Sequence, residues 1–459
     1  MDDPERPLSS NKGTMARMLD LFSHPVVETA SERYYEDEVE LETALSGATK
    51  QLVFKSPPTN HFTDLKETKL ELTVKITTNN GGDLPASHPP PPPRVADQPA
   101  PRAAEPNDPG AGFDNLTHAV IFKETDIRLG GTSISPMTGY YAHTAYFHTI
   151  LSYQRDAVKS RLPLQGFFLD ADSNSTNVFG ADGFAYRAGL TTQSREYSLS
   201  GPIHHGLFFQ EKLIPPMIGI SVVMTLSEPA FALKSGIANF NGKFEVTEAK
   251  LVLKRLVVNP SIQAAFEARF VRQPCIYPIN YLKTQSFLVE ANKASYQVND
   301  VWSGNFPPRR TFVAIVPQTN MVGSFTSSPF KFSHQSVRDM YFRLGPMRVP
   351  SIPFDVNFAR TTPRFDRLYS ALFGNSGQNE DSGIMIKPAN FVDNFCIFSF
   401  DFNQQDTPDA FVPKQVSPCL FHIDFVTAPT ETMVVLLFSV SEQIISIDSS
   451  RNTILNFAL

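Results

Sequence analysis

Residues 142–152 and 172–183 read AHTAYFHTILS and DSNSTNVFGADG, and residues 363–373 and 374–383 read PRFDRLYSALF and GNSGQNEDSG. Each pair combines an amphipathic helix pattern with a loop of small polar residues. Both pairs interrupt long stretches in which apolar and polar residues alternate, as they do in β-strands. The two copies lie roughly 220 residues apart, a spacing too long for a solenoid and suited to a duplicated domain. The repeat therefore predicts two similar β-domains in one chain.

The composition favours two globular domains of the all-β class. The chain has 459 residues, is 41% hydrophobic, and contains 38 phenylalanines but one tryptophan. At this length it can bury two cores, each domain hiding roughly 70% of the surface that its unfolded segment exposes. Aromatic and branched side chains suit the inward-facing positions of two packed sheets.

The negative charge of the chain is concentrated near its N-terminus. The formal net charge is −6, and residues 1–50 contain 11 acidic and 5 basic side chains, so the remainder is close to neutral. Binding to phosphates requires a surplus of Lys and Arg. The composition thus argues against sequence-wide attraction to nucleic acid, which we expect to be at most a neighbour.

Cysteine usage and the N-terminal residues favour a protein made and kept inside the cell. Cys275, Cys396 and Cys419 are widely spaced and form no CxxC pair. Neither a disulfide framework nor a thiolate metal site is predicted. The sequence MDDPERPLSS lacks the regions of a secretory signal, and no stretch reaches the ~18 apolar residues of a membrane span.

The first 43 residues are predicted to form an N-terminal arm. Four apolar residues in it fall at helical spacing: Met15, Met18, Leu19 and Phe22. A helix of about two turns is too short to be stable alone in water. We therefore expect it to form on docking, against its own domain or a neighbouring subunit, and we interpret it as an assembly arm.

Strand patterns divide the rest of the chain. A first domain is predicted over residues 44–258 and a second over 272–459, joined by a connector helix over 259–271 that Asn259 and Pro260 would start. Ten prolines between residues 85 and 109 predict an extended, solvated insertion over 84–112. The apolar run MVVLLFSV at 433–440 is predicted to be an interior strand, because an exposed edge of that composition would aggregate.

The histidines do not show metal-ligand spacing. His143 and His148 are five residues apart on a predicted helix and so lie on different faces. His204 and His205 are neighbours on a predicted strand and point to opposite sides. Hydrogen-bonded structural histidines are the simpler interpretation of all four.

Other chemical patterns are equally incomplete. Residues 170–181 begin like a calcium loop but carry Ser175 and Ala181 where Gly and Glu are needed. Signatures of serine hydrolases, P-loop enzymes, zinc proteases and dinucleotide-binding proteins are missing from the sequence. Distance along the chain leaves open a nucleophile that pairs a cysteine with His334 or His422, although buried structural cysteines are far commoner. We predict no catalytic, cofactor-binding or metal-binding residue.

Several segments, taken in order and spacing, resemble the double jelly-roll major capsid proteins of Polinton (Maverick) elements and adintovirus-like viruses, distant relatives of adenovirus hexon. They are residues 19–29 (LDLFSHPVVET), 115–135 (NLTHAVIFKETDIRLGGTSIS), 146–170 (YFHTILSYQRDAVKSRLPLQGFFLD), 206–213 (GLFFQEKL), 274–283 (PCIYPINYLK), 323–334 (GSFTSSPFKFSH) and 444–457 (IISIDSSRNTILNF). The resemblance runs through almost the whole chain, and no single segment is diagnostic. The Pro-rich insertion departs from the family pattern.

The resemblance implies two tandem eight-stranded jelly rolls, each with an inserted α-helix, and a structural role without an enzymatic activity. It implies homotrimers that act as pseudo-hexameric capsomers and contact neighbouring capsomers and a single jelly-roll penton protein. The setting would be the virion of an icosahedral double-stranded DNA virus or virus-like transposon, with the DNA as a neighbour. Loops 172–183 and 374–383 are expected at interfaces or on the outer crown.

Two other kinds of jelly-roll protein would carry different sequence features. A carbohydrate-binding or attachment protein would need an exposed cleft lined by aromatic residues, and the single Trp302 argues mildly against it. An enzyme of the cupin type would need clustered histidine and carboxylate ligands, which the sequence does not show.

Overall fold

A computed structural model describes residues 30–47, 49–84, 110–135, 138–178, 182–302, 306–376, 383–402 and 418–457. Strands dominate it. They are β1 (Ser31–Val39), β2 (Gln51–Ser56), β3 (Phe62–Thr78), β4 (Ala111–Phe113), β5 (Phe122–Leu129), β6 (Thr132–Ser133), β7 (Tyr197–Gly201), β8 (Ile220–Leu226), β9 (Leu233–Ser235), β10 (Gly242–Val258), β11 (Cys275–Val289), β12 (Ser295–Val298), β13 (Arg310–Pro317), β14 (Val337–Leu344), β15 (Met347–Val349), β16 (Phe398–Asp401), β17 (Cys419–Phe425), β18 (Met433–Ile447) and β19 (Thr453–Phe457).

The α-helices are short and lie between the strands. They are α1 (Thr117–Val120), α2 (Tyr141–Ser152), α3 (Ala157–Ser160), α4 (Gly183–Leu190), α5 (Pro229–Ala232), α6 (Pro260–Phe270), α7 (Gln318–Val322), α8 (Asp366–Ser376) and α9 (Pro388–Asn394). Single 3-10 turns occupy Leu162–Gln165, Thr192–Ser194 and Gly206–Phe209. None of the described helices combines the length and apolarity needed to cross a lipid bilayer.

The first half of the chain forms two antiparallel sheets, with strand orders β1-β10-β3-β7 and β2-β8-β5-β6. A small pair, β4 and β9, lies outside them. Alternate residues of β3 point into the core, and Leu70, Leu72, Val74 and Ile76 are each at most 2% exposed. Burial of such a row from each sheet holds the two sheets face to face.

The second half repeats this arrangement with strand orders β11-β18-β13-β16 and β12-β17-β14-β15. Strand β19 also pairs with β18, outside this strand order. The apolar run at 433–440 lies in β18 and pairs with β11 on one side and β13 on the other. The prediction of an interior strand is confirmed, since both edges of that run are hydrogen-bonded within the sheet.

Both halves therefore have the connectivity of a jelly roll. In the first half β1 pairs with β10, which pairs with β3. In the second half β11 pairs in the same way with β18, which pairs with β13. Helix α2 is inserted between β6 and β7, and helices α8 and α9 are inserted at the same topological position between β15 and β16. The chain is an all-β double jelly roll with an inserted helix in each half, as the repeat predicted.

The structure corrects two predicted boundaries. Strand β1 lies inside the predicted arm of residues 1–43, but it pairs with β10 from Ser31 to Val39 and is therefore part of the first jelly roll. The helix predicted over residues 363–373 begins at Asp366 and ends at Ser376. Its start is delayed because Arg364 still exchanges backbone hydrogen bonds with Asn357.

Candidate functional site

Helix α2 lies at the contact between the two jelly rolls. The ring of Phe147 stacks on Phe332 at 4.9 Å and on Phe438 at 5.4 Å, and both partners belong to the second jelly roll. The Oγ1 atom of Thr144 lies 2.8 Å from that of Thr284 in β11. The inserted helix of the first half thus fixes the position of the second half through a buried, mostly apolar contact.

A second part of this contact follows β7, where the 3-10 turn Gly206–Phe209 meets β11. A Cβ atom at Gly206 would lie 1.9 Å from the backbone oxygen of Asn280, so the two backbones approach as closely as a glycine allows. Nearby, the Tyr277 hydroxyl donates to the carbonyl of Leu213 at 2.9 Å. Backbone and side-chain contacts together hold the jelly rolls in one relative position.

A cavity of about 280 Å³ remains beside this contact, lined by both jelly rolls. Two of its lining residues are ionisable, His148 and Arg310. Arg310 pairs with Asp401 at 3.4 Å, and His148 lies 3.4 Å from His204, Nδ1 to Nδ1. The cavity therefore has no converging acid and base of the kind that catalysis needs.

Helix α8 packs differently from α2. Its Leu368 and Leu372 are fully buried, whereas Asp366, Arg367 and Ser370 are exposed. The partly buried Tyr369 packs edge-on against Phe391 of α9 at 5.3 Å. The inner face of this helix thus belongs to the core of the second jelly roll, and the described residues of its outer face are polar and exposed.

The small-polar loop of the first half is covered by the second half. Asn174 accepts a hydrogen bond from the Ser328 backbone at 2.9 Å, and Asp172 pairs with Lys331 at 2.8 Å. The Asn394 side chain bonds to the backbone of Ser173. The described part of this loop, residues 172–178, is thus an internal contact. Most of the second loop, residues 377–382, lies outside the described residues.

Next to this loop lies a buried charge cluster that the sequence analysis did not identify. Arg187 donates to both oxygens of Asp170 at 3.0 and 3.1 Å, and Lys234 lies 3.9 Å from Asp114. All four side chains are at most 2% exposed. Their charges cancel, which is the condition under which ions are tolerated in a protein interior.

The electrostatics of the cluster follow from its burial. Loss of water raises the pKa of Asp114, although Lys234 and Arg187 act in the opposite direction. Burial also disfavours the charged form of Arg187, but the Asp170 carboxylate outweighs it and raises the pKa of the guanidinium. The Ser328 hydroxyl donates to Asp114 at 2.6 Å and so links the cluster to the second jelly roll.

The same contacts explain why residues 170–181, which begin like a calcium loop, do not form a calcium site. Asp170 is occupied by Arg187, and Asp172 is occupied by Lys331, so their oxygens do not converge on a common point. No group of three or more potential metal ligands occurs among the described residues. The sequence carries one signal for this ion pair. Arg187 is the single charged residue in the otherwise apolar pattern of α4, and a buried arginine needs a partner.

Of the four histidines considered in the sequence analysis, His143, His204 and His205 are buried near the contact between the halves, and His148 is half-buried there. Loss of water lowers the pKa of His143, His148 and His205 to about 4 each, and that of His204 well below its usual value. They are therefore neutral at pH 7. The juxtaposition of His148 and His204 could not be read from the sequence, because it depends on how α2 packs against the turn after β7.

The cysteines and the tryptophan are packed residues. Burial raises the pKa of the Cys419 thiol to about 12 and raises that of Cys396 further, which opposes a reactive thiolate in either case. Trp302 stacks on Phe342 at 5.4 Å and meets Phe402 edge-on at 5.2 Å. The half-buried ring therefore packs against the core, whereas a sugar-binding platform would have to present an exposed face.

The four residues of the predicted assembly arm, Met15, Met18, Leu19 and Phe22, lie outside the described residues. The same is true of most of the Pro-rich insertion, residues 85–109. The structure begins at Ala30, whose carbonyl accepts a hydrogen bond from the Asn259 backbone at 3.0 Å. Ala30 therefore lies beside Asn259, the residue that precedes α6.

Comparison with known sequences gives a limited result. No family model matches the chain. An uncharacterized protein of Caenorhabditis elegans is 22% identical over 301 residues, which cover 65% of this chain and 66% of that protein. The match thus spans just under two thirds of the relative's length.

Comparison with solved structures shows the fold. A chain of the Sputnik virophage has a TM-score of 0.59 at 12% identity, with 100% of this chain and 93% of that chain covered. The mavirus major capsid protein has a TM-score of 0.52 at 11% identity, with 100% and 96% covered. The Faustovirus major capsid protein has a TM-score of 0.51 at 9% identity, with 92% of each chain covered. The two capsid proteins are structural proteins and not enzymes.

Proposed function

We propose that this chain is the major capsid protein of an icosahedral double-stranded DNA virus or of a virus-like transposon of the Polinton type. Three copies would form a pseudo-hexameric capsomer. Neighbouring capsomers and a single jelly-roll penton protein would be its partners in the virion, and the packaged DNA would only lie nearby.

One observation carries the proposal: the same jelly roll occurs twice and the two copies are locked side by side over a buried contact. The Phe147 ring stacks on Phe438, and Gly206 meets Asn280, so the two lobes form one rigid unit. Three such units supply six similar lobes, which is the number that a hexagonal lattice requires. The likeness in fold to two viral major capsid proteins over more than 90% of the chain supports this interpretation.

The layout of the chain follows the same proposal. Residues 1–29 would be the arm, with Met15, Met18, Leu19 and Phe22 as its docking face. The first jelly roll would run from Ser31 to Val258, interrupted by the Pro-rich insertion, and the second from residue 272 to the C-terminus. Helix α6 would serve as the connector between them, with Asn259 accepting a hydrogen bond from Ser261 at 3.0 Å as its N-cap.

The mass of the purified protein tests the proposal. We expect a stable species of three copies in native mass spectrometry, with a ring of hexagonal outline in negative-stain electron microscopy. A monomer at micromolar concentration would contradict it. Binding to a panel of glycans by such a monomer would instead support the attachment-protein alternative.

A further inference from the structure

The cavity of about 280 Å³ between the two jelly rolls is lined by different elements of each. On the first jelly roll, Leu151 near the end of α2 and Phe209 in the turn after β7 line it. On the second, Leu282, Val440 and Arg310 lie side by side across β11, β18 and β13. We call this space the interlobe cavity.

Each jelly roll contributes a pair of aromatic rings to the interlobe cavity. The ring centres of His148 and Phe209 lie 4.4 Å apart in the first jelly roll, and those of Phe312 and Phe438 lie 6.1 Å apart in the second. Phe312 and Phe438 are almost completely buried and form the floor of the cavity. A flat aromatic molecule would therefore find ring faces and edges to contact on both jelly rolls.

The interlobe cavity is large for an unfilled space in a protein. Protein interiors are close-packed, and voids larger than one water molecule are few in a domain. An engineered apolar cavity of about 150 Å³ is already large enough to bind benzene. The interlobe cavity is nearly twice as large, so it has room for a molecule of two fused rings.

One side of the interlobe cavity opens to solvent. Three of the residues that line it are exposed: Ser152, Pro278 and Asn280. A small molecule can therefore enter from this side while the two jelly rolls stay in contact.

One polar group on the wall has unused hydrogen-bonding capacity. The Arg310 side chain is 20% exposed and reaches Asp401 through Nε, at 3.4 Å. Its two terminal nitrogens, Nη1 and Nη2, have no hydrogen-bond partner among the described residues. Since Arg310 lines the cavity, these N–H groups can donate to an oxygen atom of a bound molecule.

The charges around the cavity cancel and therefore favour a neutral molecule. Arg310 is paired with Asp401, and the neighbouring Arg309 is paired with Glu442 at 3.3 Å. Loss of water lowers the pKa of His148 to about 4, so this ring is uncharged at pH 7. An anion bound here would add an unbalanced negative charge to a site that is largely sheltered from water.

We propose that the interlobe cavity binds a small, neutral aromatic molecule whose rings lie among the phenylalanines and whose hydroxyl or carbonyl oxygen accepts a hydrogen bond from Arg310. The apolar walls favour the rings because burial removes their apolar surface from water. The molecule contacts α2 and the turn Gly206–Phe209 on one side and β11, β13 and β18 on the other. It therefore stabilises the contact between the jelly rolls, a role that goes beyond the proposed function and does not depend on it.

The experiment titrates 2-naphthol into the purified chain at pH 7 and measures the heat of binding and the unfolding temperature. The matched probe is 2-naphthoate, which has the same rings but carries a negative charge. We expect one 2-naphthol per chain with a Kd of about 0.1 mM, which suits a ligand of this size. The unfolding temperature should rise with its concentration, and 2-naphthoate should bind at least about tenfold more weakly.

Two variants locate the site. Val440→Trp places two rings in the cavity and should abolish binding of 2-naphthol, whereas Val426→Trp, at a residue that is 63% exposed outside the cavity, should leave it unchanged. Arg310→Met removes the hydrogen-bond donors and should weaken binding about tenfold. Its control is Arg338→Met, since the Arg338 side chain is 64% exposed and lies outside the cavity. Circular dichroism checks that each variant is folded, and Arg310→Met still tests the site if Val440→Trp does not fold.

The inference is wrong if 2-naphthol gives neither heat nor a rise in the unfolding temperature. It is also wrong if 2-naphthol binds equally well to the wild type and to folded Val440→Trp, or equally well to the wild type and to Arg310→Met. Tighter binding of 2-naphthoate than of 2-naphthol would contradict a neutral ligand. These measurements do not depend on the number of copies in the particle, so the proposed function is tested separately by the mass of the purified protein.

Discussion

The carbonyl oxygen of Asn280 lies so close to Gly206 that a Cβ atom at position 206 would be 1.9 Å from it. The two residues belong to different jelly rolls, so this approach sets the distance between the halves. The obstacle is backbone and cannot rotate away as a side chain could. The relative position of the two lobes therefore requires a residue without a Cβ atom at position 206.

Replacing Gly206 with alanine should destabilise the chain by about 3 kcal/mol, the upper end of the range for overpacked sites. The matched control is Gly219→Ala, where the nearest atoms to the added Cβ are an ordinary 3.7 Å away. Urea unfolding of both variants checks the prediction. If the two variants have equal free energies of unfolding, the halves can move apart at Gly206 without loss of stability, and the prediction is wrong.

Replacing Asp170 with asparagine should cost about 3–5 kcal/mol, because it leaves the buried Arg187 charge without its partner. Changing both residues at once, Asp170→Leu with Arg187→Met, should cost less than the single change, since no charge then remains buried. Urea unfolding of the single and the double variant gives the two free energies of unfolding, which are compared directly. A double variant that is less stable than the single variant would refute this account of the ion pair.

Acid should destabilise the contact between the halves. The pKa of His148 is lowered from 6.5 to about 4 by burial, so the unfolded chain takes up this proton at a higher pH than the folded chain does. Stability from this residue is complete above pH 6.5 and is lost as the pH falls toward 4, at up to about 1.4 kcal/mol per pH unit.

The His148→Gln variant should take up roughly one proton fewer on unfolding. Its free energy of unfolding, measured in urea, should therefore fall less steeply than that of the wild type between pH 7 and pH 4.5. A matched control is His61→Gln, since His61 is partly exposed and hydrogen-bonded to Tyr35 away from the contact. The same pH slope in the wild type and in His148→Gln would contradict the assignment. The raised pKa of Asp114 acts in the opposite direction and is common to all three proteins.

Arg451 should hold the C-terminal strand on the connector helix. Its guanidinium donates to both oxygens of Glu267, at 2.8 and 3.1 Å, and lies 4.5 Å from the centre of the Phe270 ring. Arg451→Ala should cost about 1–2 kcal/mol and speed amide exchange in β19. The control Arg338→Ala removes a more exposed pair with Asp424 and should cost about 0.5 kcal/mol or less. Equal effects of the two substitutions on β19 would count against this role.

Removing residues 1–29 should leave a folded trimer that forms shells poorly, because the proposed arm is lost and β1 is kept. Electron microscopy of assembly reactions measures the shells, and native mass spectrometry measures the trimer. A longer deletion to residue 43 should unfold the first jelly roll, since it removes β1 and exposes the edge of β10. Normal shells from the shorter variant would exclude the arm as an assembly element.

Much of the fold could be predicted from local patterns. The apolar run at 433–440 predicted an interior strand and Asn259 predicted the start of α6, because strand composition and helix capping are properties of neighbouring residues. The end of the predicted arm was placed wrongly. Strand β1 is a half-exposed edge strand rich in Glu, so its composition resembles that of a tail.

The sequence by itself determined the all-β class, the duplication and the lack of catalytic motifs, because these depend on composition and on patterns within short segments. Tertiary structure alone decided which residues meet, both within the first jelly roll and across the halves. Asp170 finds Arg187, His148 finds His204, and the first small-polar loop is covered by Lys331 and Ser328. These pairs depend on how folded segments pack on one another, including how the two finished sandwiches meet, which no local pattern records.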